Sequence, residues 1–106
     1  MEVFNGNEGG EIDLATAKAW IGNYSEKLME SDVVKAHFFG KEVLQRLLAQ
    51  EGCMGARMYY GIDHDGQKQL ILVGVDAYGK DLEEGIILDK SSPCPPYCSV
   101  GTTLGN

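Results

Sequence analysis

Three cysteines are the residues whose types and spacing best suit chemistry. Cys94 and Cys98 bracket Pro95, Pro96 and Tyr97, and Cys53 lies far upstream between Gly52 and Met54. A C-x3-C pair in a proline-stiffened loop holds two sulfurs near each other with little entropy to lose. As thiolates they can bind Zn²⁺ or an iron–sulfur cluster. As a pair they can cycle between thiol and disulfide, or simply clip the loop. Zinc knuckles and redox pairs use C-x2-C more often, so the spacing leaves these roles open. A metal site also needs further ligands, which Cys53, His37 or His64 would have to supply. The metal reading therefore names Cys94, Cys98 and Cys53, with zinc or an iron–sulfur cluster as cofactor if the three sulfurs converge. Against it, Cys53 follows an expected helix end, the wrong end of the dipole for an activated thiolate, and a free cysteine there commonly packs as a small apolar group.

The remaining polar candidates are weaker. Asp63-His64-Asp65-Gly66 resembles the start of a calcium loop, but the D-x-[DN]-x-[DN]-G register is not met and no glutamate closes it. Asp76, Asp81, Glu83 and Glu84 form an acidic neighbourhood, and paired carboxylates can do acid–base work. Nothing in the sequence marks them as buried, so a solvated loop accounts for them. The chain has no G-x-G-x-x-G, P-loop, G-x-S-x-G or H-E-x-x-H motif. No catalytic residue is assigned, and the sequence leans away from an enzyme.

The elements that must position these residues centre on Gly55 to Asp76. Asp65-Gly66 is a strong hairpin signal, because a two-residue type I′ loop needs positive φ at both positions. That loop predicts Asp63 opposite Lys68, Tyr60 opposite Ile71 and Met58 opposite Val73. Met58, Tyr60 and Ile62 share one face of the first strand. The run Leu70 to Val75 is apolar on both faces, which predicts a central strand covered on both sides.

Upstream, Asp13 caps an expected helix running to about Met29. Leu14, Ala17, Trp20, Ile21, Tyr24 and Leu28 draw an apolar stripe expected to face a core. Glu30-Ser31-Asp32 breaks that pattern. Val33 to Phe39 reads either as a strand or as the approach to a second helix. Lys41 to Glu51 is the second helix, with Val43, Leu44, Leu47 and Leu48 inward and Gly52 as its cap. Residues 1–11 form an expected flexible leader, Gly85 to Asp89 a short strand, and residues 90–106 an extended Pro/Cys-rich tail. Helices first and strands after is the segregated pattern of an α+β fold. The expectation is one domain over residues 1–106: two N-terminal helices packed on a small antiparallel sheet of three to four strands.

Two resemblances bear on these residues. Gly52-Cys53-Met54-Gly55 before a strand, with two later cysteines, is similar in layout to A-type iron–sulfur carriers, which have a Gly-Cys-Ser-Gly turn and a C-terminal Cys-Gly-Cys. This chain departs from them at Met54, at the C-x3-C spacing and in the short stretch between its cysteines. The runs GCMGARMYYG and SPCPPYCS together resemble a group of small bacterial proteins of unassigned function, a likeness over roughly the C-terminal half that implies no substrate and no catalytic residue.

Sixteen acidic residues against 9 basic ones give a formal charge of −7. That excludes nucleic acid and anionic membrane as expected partners, since both reward clustered Lys and Arg. The opening MEVFNGNEGGEI has no basic n-region and no apolar h-region, and no run reaches the roughly 20 apolar residues of a bilayer span. The expected location is cytoplasmic, where cysteines are thiols or metal ligands rather than a disulfide framework. The leading functional expectation is a small non-enzymatic binding or interaction module, a homo-oligomer or a binder of a protein partner through the sheet. The alternative is the thiolate metal site.

Overall fold

A computed structural model describes residues 1–27 and 34–104 of the chain. The fold is α+β, with two helices and two antiparallel sheets among those residues. The chain divides into two compact units, Met1–Gly9 with Phe39–Ser91 and Gly10–Phe38 with Ser92–Asn106.

The first unit holds helix α2 (Lys41–Leu48) and a three-stranded sheet in the order β2 (Cys53–Ile62), β3 (Lys68–Asp76), β4 (Ile87–Leu88). The apolar run places β3 at the centre, as its pattern predicts, and Leu72, Val73 and Val75 are buried there with Leu47 of α2. Alternating residues of a strand face opposite sides, so burial of neighbours 72 to 75 means both faces are covered at this end. On one side Gly74 faces the end of α2. A Cβ there would sit 2.8 Å from Gln50 Nε2, 3.1 Å from Cys53 Sγ and 3.2 Å from Leu82 Cδ1, so only glycine fits without rearrangement. On the other side Val75 lies with Phe4 and Arg57.

The hairpin differs from its expected register by one residue. Asp63 Oδ1 accepts the N–H groups of Asp65 and Gln67, each at 2.9 Å, and the Asp63 N–H donates to the Gln67 carbonyl at 2.9 Å. Gly66 takes φ +80°, the left-handed position that closes a three-residue loop. The Asp63 carboxylate thus holds the longer turn, and Ile62 rather than Asp63 meets Lys68. Tyr60 pairs with Leu70 and Met58 with Leu72.

Helix α2 stops three residues before the expected end. The Gln50 side chain replaces the missing turn, donating to the Leu47 carbonyl at 2.8 Å and accepting the Ile86 N–H at 2.8 Å. Leu47 is inward as expected, but Leu48 is exposed. The leader, expected to be flexible, is tied down: the N–H groups of Val3 and Phe4 donate to the Ala77 carbonyl at 2.7 and 2.9 Å.

The second unit holds helix α1 (Leu14–Glu26) and a two-stranded sheet of β1 (Ala36–Phe38) and β5 (Ser92–Cys94). Asp13 caps α1 through the Thr16 N–H at 2.7 Å, as expected. The expected stripe does not enter a core: α1 buries none of its residues, and Trp20 is 61% exposed. Among the described residues, its unit supplies two three-residue strands to pack on. The helix ends at Glu26. Its expected extension to Leu28 and Met29, the break at Glu30-Ser31-Asp32, and Val33 lie outside the described residues. Of the alternatives for the next stretch, the strand is the one formed. The expected tail supplies its partner β5, with His37 opposite Pro93 and Ala36 opposite Cys94.

Candidate functional site

The proline-stiffened loop brings Cys94 and Cys98 together, with Cα atoms 4.7 Å apart, and joins them as a disulfide. Cys94 is buried at the end of β5, where its carbonyl accepts the Lys35 N–H at 2.6 Å. The Tyr97 N–H donates to the Pro93 carbonyl at 3.0 Å, closing the loop on itself. Both Cys94-Pro95 and Pro95-Pro96 peptide bonds are cis. A bridged pair carries no thiolate, so it ligates no metal unless it is first reduced.

The third expected ligand, Cys53, is a free thiol in the other unit, where its Sγ–H donates to the Gly55 carbonyl at 3.2 Å. His37 lies in β1, half-buried, and desolvation lowers its pKa from the ordinary imidazole value. His64 sits exposed in the hairpin loop. Among the described residues, no three His, Cys, Asp or Glu side chains are grouped to hold a metal ion.

Two residues of the acidic neighbourhood, Asp76 and Asp81, serve the fold. Asp76 Oδ1 accepts the N–H groups of Tyr78 and Lys80 at 2.9 and 3.0 Å, which shapes the turn after β3. Asp81 accepts from Arg57 Nη1 at 2.5 Å and from the Tyr59 hydroxyl. Arg57 also donates to the Gly79 carbonyl at 3.2 Å, and its guanidinium lies 5.8 Å from the centre of the Phe4 ring. Tyr59 first, then Asp81, raises the Arg57 pKa further above its usual range. Sequence reading missed this cluster. Its signal was Arg57, the one charged residue between Cys53 and Ile62.

The feature that stands open is β2. Among the described residues it is an edge strand, paired by β3 on its inner side. On the face it shares with Leu70 and Leu72, Met58, Tyr60 and Ile62 are 56%, 90% and 75% exposed. The Asp63–Gln67 hydrogen bond sets the phase of the ladder. Antiparallel pairs alternate, so the backbone N–H and C=O groups of Ala56, Met58, Tyr60 and Ile62 point to the open edge. From Gly55 to Ile62 this edge has no proline, no lysine and no bulge. Those are three of the devices that blunt an edge against pairing; the strand's one charge, Arg57, is neutralised by Asp81. Beside its first half runs a groove of about 510 Å³, bounded by Phe4, Gly6 and Glu8 of the leader and by Met54 to Met58.

No protein family, curated protein or solved structure matches this chain. No helix among the described residues is long and apolar enough to cross a membrane.

Proposed function

We propose that the protein is a non-enzymatic interaction module that receives an extended protein segment, its own or another protein's, along β2. The observation that supports this is one strand carrying both an open hydrogen-bonding edge and an exposed apolar row at Met58, Tyr60 and Ile62. An added strand would satisfy the edge groups through main-chain bonds and flank the row with alternate side chains of its own. A contiguous exposed apolar patch is a recurrent mark of such sites. The charge of −7 speaks against nucleic acid as the partner. The Cys94–Cys98 bridge suits an oxidising compartment better than the expected cytoplasm. No observation favours the thiolate metal site over this reading.

The test compares the wild-type chain with a Tyr60→Lys, Ile62→Lys double variant. Both side chains are exposed, so the variant should keep its fold, checked by circular dichroism. Wild-type protein should associate with itself in sedimentation, or retain a partner from lysate, and the variant should lose that association. Identical association of the two proteins overturns the reading.

A further inference from the structure

Resting on that reading of β2, we propose that its occupant is a second copy of this chain. The two β2 strands run antiparallel about a two-fold axis through Tyr59. The register follows from the backbone. In an antiparallel ladder, residues whose N–H and C=O point outward must meet residues that point outward on the other strand. Ala56, Met58, Tyr60 and Ile62 are those residues, and they are symmetric about position 59. The pairing with full overlap sets Ala56 against Ile62 of the second copy and Met58 against Tyr60 of the second copy. Tyr59 then meets Tyr59.

The side chains agree with this register. On one face, Met58, Tyr60 and Ile62 of both copies form a continuous apolar band. Tyr60 alone offers on the order of 200 Å². Laterally paired strands cover the flanks of these side chains and the facing backbones, which places the pair at the small end of specific interfaces, roughly below 1,200 Å². On the other face, Arg57 lies opposite Gly61 and diagonal to Asp63 of the second copy, so the strand's one cation meets no like charge and neighbours an acidic turn. The symmetric strand therefore complements itself in hydrogen bonding, apolarity and charge.

The experiment uses the full chain in a Cys53→Ser background, with Cys94–Cys98 left bridged. Single cysteines are placed at positions 57 to 61 and oxidised mildly. In a non-hydrogen-bonded antiparallel pair the facing Cα atoms are about 4.5 Å apart, within disulfide reach. Tyr59→Cys should cross-link to itself. Met58→Cys and Tyr60→Cys should each cross-link when mixed with the other, and far less alone. Because Tyr59→Cys also removes the bond to Asp81, the wild-type chain supplies a second measurement. The outward N–H groups of residues 58 and 60 should become protected from exchange as concentration rises. Self-cross-linking that peaks away from 59 overturns the register. A wild-type chain that stays monomeric, with no concentration-dependent protection, overturns self-pairing. If a lysate partner is nonetheless lost on Tyr60→Lys, Ile62→Lys, the interaction reading survives that result; if it is not, both fall.

Discussion

In the sheet unit, Leu47, Leu72, Val73 and Val75 leave water together, and β3 is paired along its length by β2. In the other unit, three-residue strands meet over three pairs, and among the described residues the buried apolar side chain is Cys94, whose sulfur is bridged to Cys98. So short a two-stranded ladder has little stability alone. Nor does α1 cover it with buried residues of its own. The first unit is held by apolar burial, whereas in the second a covalent bond closes the loop that follows β5. A disulfide restricts the loop it closes, so the expected gain in order is local to residues 94–98 and the β5 end beside them.

The largest effect should come from the buried support. Leu72→Ala removes a side chain that is 1% exposed on the central strand, in register with Leu88 of β4. Leucine-to-alanine changes at such sites cost roughly 2–5 kcal/mol. Urea unfolding followed on β3 amides should show a loss in that range. A loss near zero would mean that the sheet unit does not depend on its core, and the contrast between the units would collapse.

Reduction of the clip should cost less. Its loop is short, with a sequence separation of 4. Loop-closure entropy for so few residues gives about 2 kcal/mol, at the low end for disulfides. The readout is the Lys35 N–H, which donates to the Cys94 carbonyl across the ladder. Its exchange should accelerate in dithiothreitol and in Cys94→Ser, Cys98→Ser protein. Unchanged protection would show that packing, and not the bridge, holds β1 to β5.

This contrast also explains what the sequence made legible. The central strand was readable because Leu70 to Val75 is apolar on both faces, a pattern with few other solutions. The cap at Asp13 and the inward Leu47 were readable for the same local reason. The hairpin register was not, because Asp-Gly serves two-residue and three-residue loops alike. The Asp63 carboxylate, bonding two backbone N–H groups, decided between them. The α1 stripe misled because periodicity says which face is apolar but not whether anything is there to cover it. The cysteine pair was located correctly in space, but its oxidation state is not written in its spacing. As for β2, its apolar face was visible in the sequence. Its exposure was not, because that depends on how far α2 reaches.

The smallest effect is electrostatic and separates the units by pH. The Gln67 backbone N–H, then Gln69, lowers the Asp63 pKa from 3.8. The unfolded carboxylate thus takes up a proton more readily than the folded one. Asp63 contributes fully above its unfolded value, and that contribution is lost as pH falls through the lower, folded value. Desolvation likewise lowers His37 from 6.5. Here too the unfolded chain binds the proton more readily, so acidification below about 6.5 weakens the folded state until the folded imidazole itself titrates. Both groups lose stability toward acid, but in different windows: from 6.5 downward for β1 and from 3.8 downward for the hairpin. Urea titrations read on each unit's own amides between about pH 3 and 8 should resolve the two. Asp63→Asn should flatten only the hairpin's acid limb, since its side-chain oxygen can still accept the Asp65 and Gln67 N–H groups. His37→Gln should flatten only the limb below 6.5. If either substitution flattened both limbs, the two supports would be titrating as one.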